Sequence, residues 1–211
     1  MRPRVKICGI TRTEDARHAA ALGADAIGLI FTPRSPRCLT LAQAVAIRAV
    51  LPPLVSAVAL FMDADAGQVR EVCASLQPDL LQFHGGEDDA WCRQFGRPWL
   101  KALPMRDAAP VAPRLARYPH AAGFVLDGHA QGQPGGQGEA FDWSALPAID
   151  RPWLLAGGLG ADNVAQALRT ARPWGVDVSS GVERSPGVKD ARKLEAFFRE
   201  IHRETAAQDR H

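Results

Sequence analysis

The sequence has no two cysteines close enough to share a zinc ion or a redox motif. Cys8, Cys38, Cys73 and Cys92 stand far apart, without CxxC spacing and without a nearby histidine cluster. Neither a metal site nor a disulfide framework is expected, and a reducing cytoplasm fits best. There is also no run long enough to cross a membrane. The apolar run after Met1-Arg2-Pro3-Arg4 covers six residues, too short for a secretory signal, so a soluble, unexported chain is expected. Charge of one sign is lacking too: 25 Lys and Arg against 23 Asp and Glu leave a net charge of +2 with no basic patch. That argues against a nucleic-acid or acidic-membrane partner and for a small molecule. No Gly-x-Gly-x-x-Gly follows the first apolar run, which weakens the case for an open dinucleotide-binding sheet.

What is present is a repeated plan. With 211 residues, 46% of them hydrophobic, the chain can bury one substantial core, and 1–211 reads as a single domain. Apolar runs alternate with amphipathic stretches: Val5 to Ile10 then Thr13 to Leu22, Ala26 to Phe31 then Leu41 to Leu51, Val55 to Met62 then Ala66 to Leu76. Leu80 to His84 precedes Asp88 to Phe95, and Trp99 to Leu103 precedes a Pro-broken helix ending near Tyr118. Gly123 to Asp127 precedes a Gly- and Gln-rich loop, Gly128 to Gly138, and a helical turn from Trp143. Trp153 to Ala156 precedes Ala161 to Arg172, and Val176 to Ser179 precedes Asp190 to Arg203. The strands are continuous apolar runs, as expected when a parallel sheet is covered on both faces. Eight such units in about 200 residues predict a closed (β/α)8 TIM barrel over an open doubly wound sheet, with a frayed polar tail from about residue 204. No apolar face is obviously surplus, so a monomer or weak homodimer is expected.

In such a barrel the site lies at the C-terminal ends of the strands. Cys8 and Asp127 each end a strand there, on strands that face each other across the mouth. A free cysteine is more often a buried packing residue than a reactive one. An acid ending an apolar strand must be hydrogen-bonded, paired or functional. Together a thiol and a carboxyl suit a general base and a general acid. An unperturbed thiol has a pKa near 8.5, so a thiolate needs help. Strand alternation puts Lys6 beneath Cys8, with Asp177 on neighbouring strand eight as its expected partner. Gly157 and Gly158 after strand seven, with Ser180 and Gly181 after strand eight, have the composition of a phosphate cradle. Arg37, in Ser35-Pro36-Arg37, offers a planar guanidinium for a carboxylate. Gln82 and His84 share one strand face, and His84 reads equally as a structural or a functional histidine. Cys38, Cys73 and Cys92 read as ordinary small residues, and the tryptophans as packing residues.

Taken in order, these pieces resemble the phosphoribosylanthranilate isomerases, single-domain barrels of tryptophan biosynthesis. The resemblance rests on Lys6-Ile7-Cys8-Gly9-Ile10, Ser35-Pro36-Arg37, Gln82-Phe83-His84-Gly85, Leu126-Asp127, Gly135-Gly136 with Phe141-Asp142-Trp143, Leu155-Ala156-Gly157-Gly158-Leu159, Asp177-Val178-Ser179-Ser180-Gly181-Val182-Glu183 and Ser185-Pro186-Gly187. It implies that Cys8 is the general base, Asp127 the general acid and Arg37 the partner of the anthranilate carboxylate, with phosphate on backbone groups around Gly157, Gly158, Ser180 and Gly181. Phe83 stands where the family usually has Leu, and Gln137 where its Gly-rich loop usually has Thr or Ser.

The implied reaction is an Amadori rearrangement of an aminoaldose phosphate to an aminoketose phosphate. The substrate amine is the electron sink, so no metal, pyridoxal or nicotinamide is called for. For Asp127 to donate a proton near neutral pH its pKa must rise well above the ordinary carboxylate value of about 3.9. Three other readings compete. A related sugar-phosphate isomerase of histidine biosynthesis would carry an aspartate where this chain has Cys8. Indoleglycerol-phosphate synthase would need a catalytic lysine with glutamates, and Lys101 is the one comparable strand lysine, without an evident glutamate partner. A non-catalytic phosphate binder would keep the cradle and lose the acid-base pair.

Overall fold

The computed structural model describes residues 2–106, 110–128, 142–143, 146 and 148–208. The eight expected strands form and close on themselves. They are β1 (Arg4–Cys8), β2 (Ala26–Ile30), β3 (Ser56–Phe61), β4 (Leu80–Phe83), β5 (Trp99–Pro104), β6 (Gly123–Asp127), β7 (Trp153–Ala156) and β8 (Gly175–Val178). Each pairs in parallel with the next, and β8 pairs with β1 in the register Lys6↔Asp177, so no open edge is left. An open sheet is thereby excluded.

Period-2 alternation decides what each strand residue meets. One face of the barrel strands, including Val5, Ile7, Ile27, Phe61, Phe83, Phe124 and Val176, packs into the large core beneath the helices. The other face fills the interior in two small clusters, Ala102 with Val125, Leu154 and Ala156, and Cys8 with Ile30 and Leu60. Gly28 is part of this filling: a β-carbon there would sit 2.8 Å from Cys8 Sγ and 3.2 Å from Lys6 Nζ, so only a residue without one leaves both side chains room.

The outer layer consists of α1 (Thr13–Ala21), α2 (Leu41–Arg48), α3 (Ala66–Leu76), α4 (Asp89–Arg93), α5 (Val111–Ala116), α6 (Val164–Ala171) and α7 (Ala191–Gln208). Three start where a polar side chain satisfies a free backbone N–H: Thr40 in a capping box with Gln43, Asp65 and Asp88. Helix α7 runs five residues past the expected Arg203. Leu194, Phe197, Phe198 and Ile201 bury one stripe of it, and Glu204 pairs with Arg169 of α6, which carries the helix on through the polar end. Between β8 and α7 lies a feature the sequence pattern missed: a 3-10 turn over Ser180–Val182 and a short antiparallel hairpin, β9 (Glu183–Ser185) with β10 (Val188–Lys189). Gly135, Gly136, Gln137 and Phe141, with most of the Gly- and Gln-rich loop, lie outside the described residues.

Candidate active site

At the C-terminal mouth of the barrel a cleft of about 660 Å³, open to solvent, is lined by Cys8, Arg37, Gln82, His84, Asp127, Gly157, Gly158, Asp177, Ser180 and Gly181, all singled out from the sequence. The barrel alone explains the convergence. Eight strand ends and the loops after them share one rim, so residues up to 173 positions apart become neighbours.

Cys8 and Asp127 are each only 6% exposed. Beneath Cys8, the Lys6 ammonium lies 2.8 Å from Asp177 Oδ2, the pairing expected from strand register, with both side chains buried. Burial alone would lower the Lys6 pKa, but the attraction of Asp177, with a smaller part from Cys8, raises it above the ordinary lysine value. Burial pushes Asp177 up against the pull of Lys6. The thiol does not follow the sequence expectation. Burial raises the Cys8 pKa, Lys6 and Lys189 oppose the rise only in part, and Asp177 adds to it. Lys6 is a buried neighbour of the thiol, yet its charge goes first to a carboxylate.

On β4 and the loop after it, Gln82 Nε2 lies 3.3 Å from His84 Nδ1, and His84 Nε2 lies 3.8 Å from Asp127 Oδ2. That places the histidine beside the acid across β5. Gln82 Oε1, Asp177 Oδ1, Thr32 Oγ1 and Ser179 Oγ are buried, line the cleft and have no hydrogen-bond partner among the described residues. Unmatched buried polar atoms in a cleft are what a polar ligand would satisfy.

The two cradle loops are built on glycine for definite reasons. Gly157 (φ 88°) and Gly158 (φ 64°) adopt the left-handed backbone. Gly181 lies so close to the Leu159 carbonyl that a side chain would clash with it, so the loops after β7 and β8 touch backbone to backbone. Asn163 locks the first of them, accepting from Gly160 N at 2.9 Å and donating to Gly158 O at 2.8 Å.

Arg37 is buried and does not stand open on both edges. Its Nε and Nη2 donate to Glu183 at 2.8 and 2.7 Å, so one edge of the guanidinium already holds a carboxylate of the protein itself. Glu183 and Lys189 thus enter the site without a role assigned from sequence. Glu183 was in view only as the last residue of a motif carrying the resemblance, and Lys189 only as one of the charged residues after strand eight. Lys101, weighed as a catalytic lysine without a glutamate, faces away from the mouth and does have one. Its ammonium lies 2.9 Å from Glu87 and 2.6 Å from Gly85 O among the outer helices. Cys92, read as an ordinary small residue, is buried, and burial pushes its thiol up to about 12. Trp174 departs from the packing role, being 48% exposed.

The comparisons with known proteins point one way. The family model described as N-(5'phosphoribosyl)anthranilate (PRA) isomerase matches residues 5–200. A protein of Azotobacter vinelandii named N-(5'-phosphoribosyl)anthranilate isomerase is 53% identical over 199 residues, covering 94% of this chain and 97% of its own. The crystal structure of phosphoribosyl anthranilate isomerase from Thermus thermophilus superimposes with a TM-score of 0.85 at 39% identity, covering 95% of this chain and 98% of that one. A second solved structure, of a phosphoribosyl anthranilate isomerase in complex with reduced 1-(o-carboxyphenylamino)-1-deoxyribulose 5-phosphate, reaches a TM-score of 0.81 at 35% identity over the same shares. The chain belongs to the N-(5'-phosphoribosyl)anthranilate isomerase family.

Proposed function

We propose that this isomerase of tryptophan biosynthesis converts N-(5'-phosphoribosyl)anthranilate to 1-(2-carboxyphenylamino)-1-deoxyribulose 5-phosphate with Cys8 as general base and Asp127 as general acid. The observation that carries the assignment is their placement at the ends of β1 and β6, buried, on one cleft that also holds the two glycine loops. Asp127 donates a proton to the ribose ring oxygen as the ring opens to a protonated Schiff base, and His84 beside it orients the carboxyl. Cys8 then removes the proton from C2 of the sugar, and the enolamine so formed tautomerises to the ketone. The phosphate rests on backbone groups of Gly157, Gly158, Ser180 and Gly181, and Gln82 offers its unmatched oxygen to a sugar hydroxyl. Arg37 meets the anthranilate carboxylate through the part of its guanidinium that Glu183 leaves open.

The deciding experiment follows the fluorescence of phosphoribosylanthranilate with purified protein and no added metal or cofactor. Consumption with formation of the aminoketose is expected, and dependence on an added cofactor would refute the scheme. Replacing Arg37 by Ala should raise KM far more than it lowers kcat. Among the described residues the large apolar side chains left exposed are Val45, Leu54 and Trp174, little enough to support a monomer or weak homodimer, which sedimentation would test.

A further inference from the structure

Arg37 sits in a buried cluster whose charges do not cancel. Glu183 takes its Nε and Nη2, and Lys189 Nζ lies 2.8 Å from the same carboxylate, at Oε1. The three side chains are 7%, 4% and 0% exposed in turn. Lys189 also donates to the Cys8 carbonyl at 2.6 Å and to the Ser179 carbonyl at 3.1 Å, while the Gly187 amide donates to Glu183 Oε1 at 3.3 Å. Two cations face one anion, out of water, beside the cleft that Arg37 lines. Arg37 Nη1 has no hydrogen-bond partner among the described residues, whereas Nε and Nη2 are held.

An arginine neutralised by one glutamate would offer an incoming carboxylate direction but little charge. An arginine with no glutamate would keep its charge and could turn among rotamers, at an entropic cost to each binding event. The second cation resolves this conflict, because it offsets Glu183 from behind while Glu183 fixes the guanidinium plane. Burial lowers the Lys189 pKa, and the neighbouring Glu183 opposes that. For Glu183, burial would raise the pKa, but Arg37 and Lys189 hold it below the ordinary glutamate value. Gly9 completes the seat. Its backbone is left-handed (φ 72°), and any β-carbon there would clash with Arg37 Cδ, so the arginine stem lies flat against the turn after β1.

We propose that Glu183 and Lys189 are positioning residues for the carboxylate of the substrate: Glu183 sets the plane of Arg37, and Lys189 leaves the cluster with one surplus positive charge that the ligand carboxylate neutralises. This rests on Arg37 being the carboxylate partner, and it adds that the selectivity for a carboxylated aminosugar phosphate resides in the cluster as a whole. Because Lys189 also bonds the Cys8 carbonyl, the cluster links the carboxylate subsite to the residue that takes the C2 proton.

The test measures dissociation constants of two stable ligands, reduced 1-(o-carboxyphenylamino)-1-deoxyribulose 5-phosphate and its counterpart without the carboxyl group. Lys189→Met and Glu183→Gln should each weaken the carboxylated ligand by about tenfold or more while changing the carboxyl-free one less than about threefold, as for a lost charged hydrogen bond. Equal losses for both ligands would show a merely structural role and overturn the proposal. Tighter binding of the carboxylated ligand by Glu183→Gln would overturn it too, since Glu183 would then be competing for Arg37. If a single variant does not fold, the double variant removes the buried opposite charges together and is read against the same two ligands with the same criteria. Arg37→Ala serves as the reference. If it weakens both ligands equally, or weakens neither, the carboxylate role of Arg37 fails, whereas selectivity lost in Arg37→Ala but kept in the other two defeats only the present proposal.

Discussion

Lys6 gives its charge to Asp177 at 2.8 Å, and burial leaves the thiol above it with a raised pKa. A free thiolate is then scarce at neutral pH, and on the roles proposed for them Cys8 and Asp127 are both ready only when the two together hold one proton. The thiolate with a protonated carboxyl is the arrangement in which base and acid are both ready. In a raised thiol the last proton leaves the pair only at alkaline pH, so kcat/KM should stay level from neutral pH to about pH 9 and decline beyond it. A pH profile that climbs steadily between pH 7 and 9 would instead mean that the thiolate acts without a shared proton. Cys8→Ala and Asp127→Asn should each cut turnover roughly 10²-fold or more, the scale of general acid-base catalysis. Near-normal turnover in either would remove that residue from the mechanism. The cysteine and aspartate were readable as candidates because each ends an apolar strand. The pKa of the thiol was not, since it depends on which of two acidic partners Lys6 prefers.

At the scale of elements, the proposed phosphate cradle is a contact between two connections. The loop after β7 turns on two left-handed glycines and is pinned by Asn163, and the 3-10 turn after β8 packs on it through Gly181. Asn163→Ala should raise KM roughly tenfold through the two lost hydrogen bonds, with kcat less affected. A KM within twofold of the parent would show that the loop holds its shape without that side chain. The strands and most helices were legible because burial on both faces or on one stripe leaves a periodic trace. The β9–β10 hairpin was not. Its two- and three-residue strands are too short to show alternation, and what holds them is Glu183, bound both by Lys189 within the hairpin and by Arg37 from another loop.

Over the whole molecule, closure of the barrel does more than gather the site. Lys101 on β5 binds Glu87, which also accepts from Asp63 N at 2.8 Å and Gly85 N at 2.9 Å, so three successive units are fastened through one buried carboxylate. Lys101→Met should cost about 3–5 kcal/mol of stability, because it strands that buried charge. Urea denaturation would measure it, and a loss below about 1 kcal/mol would mean that Glu87 is satisfied without the lysine. By itself the amino-acid sequence determined the eight-unit rhythm, the strand ends at which chemistry could sit and, through its resemblance, the reaction. These are local or cumulative properties, written as periodicity and as motifs in order. Which charges pair was decided only in the closed barrel. Lys6 with Asp177, Arg37 with Glu183, and Lys101 with Glu87 are separated by 171, 146 and 14 positions, and burial makes each pairing obligatory only once the strands have brought them together.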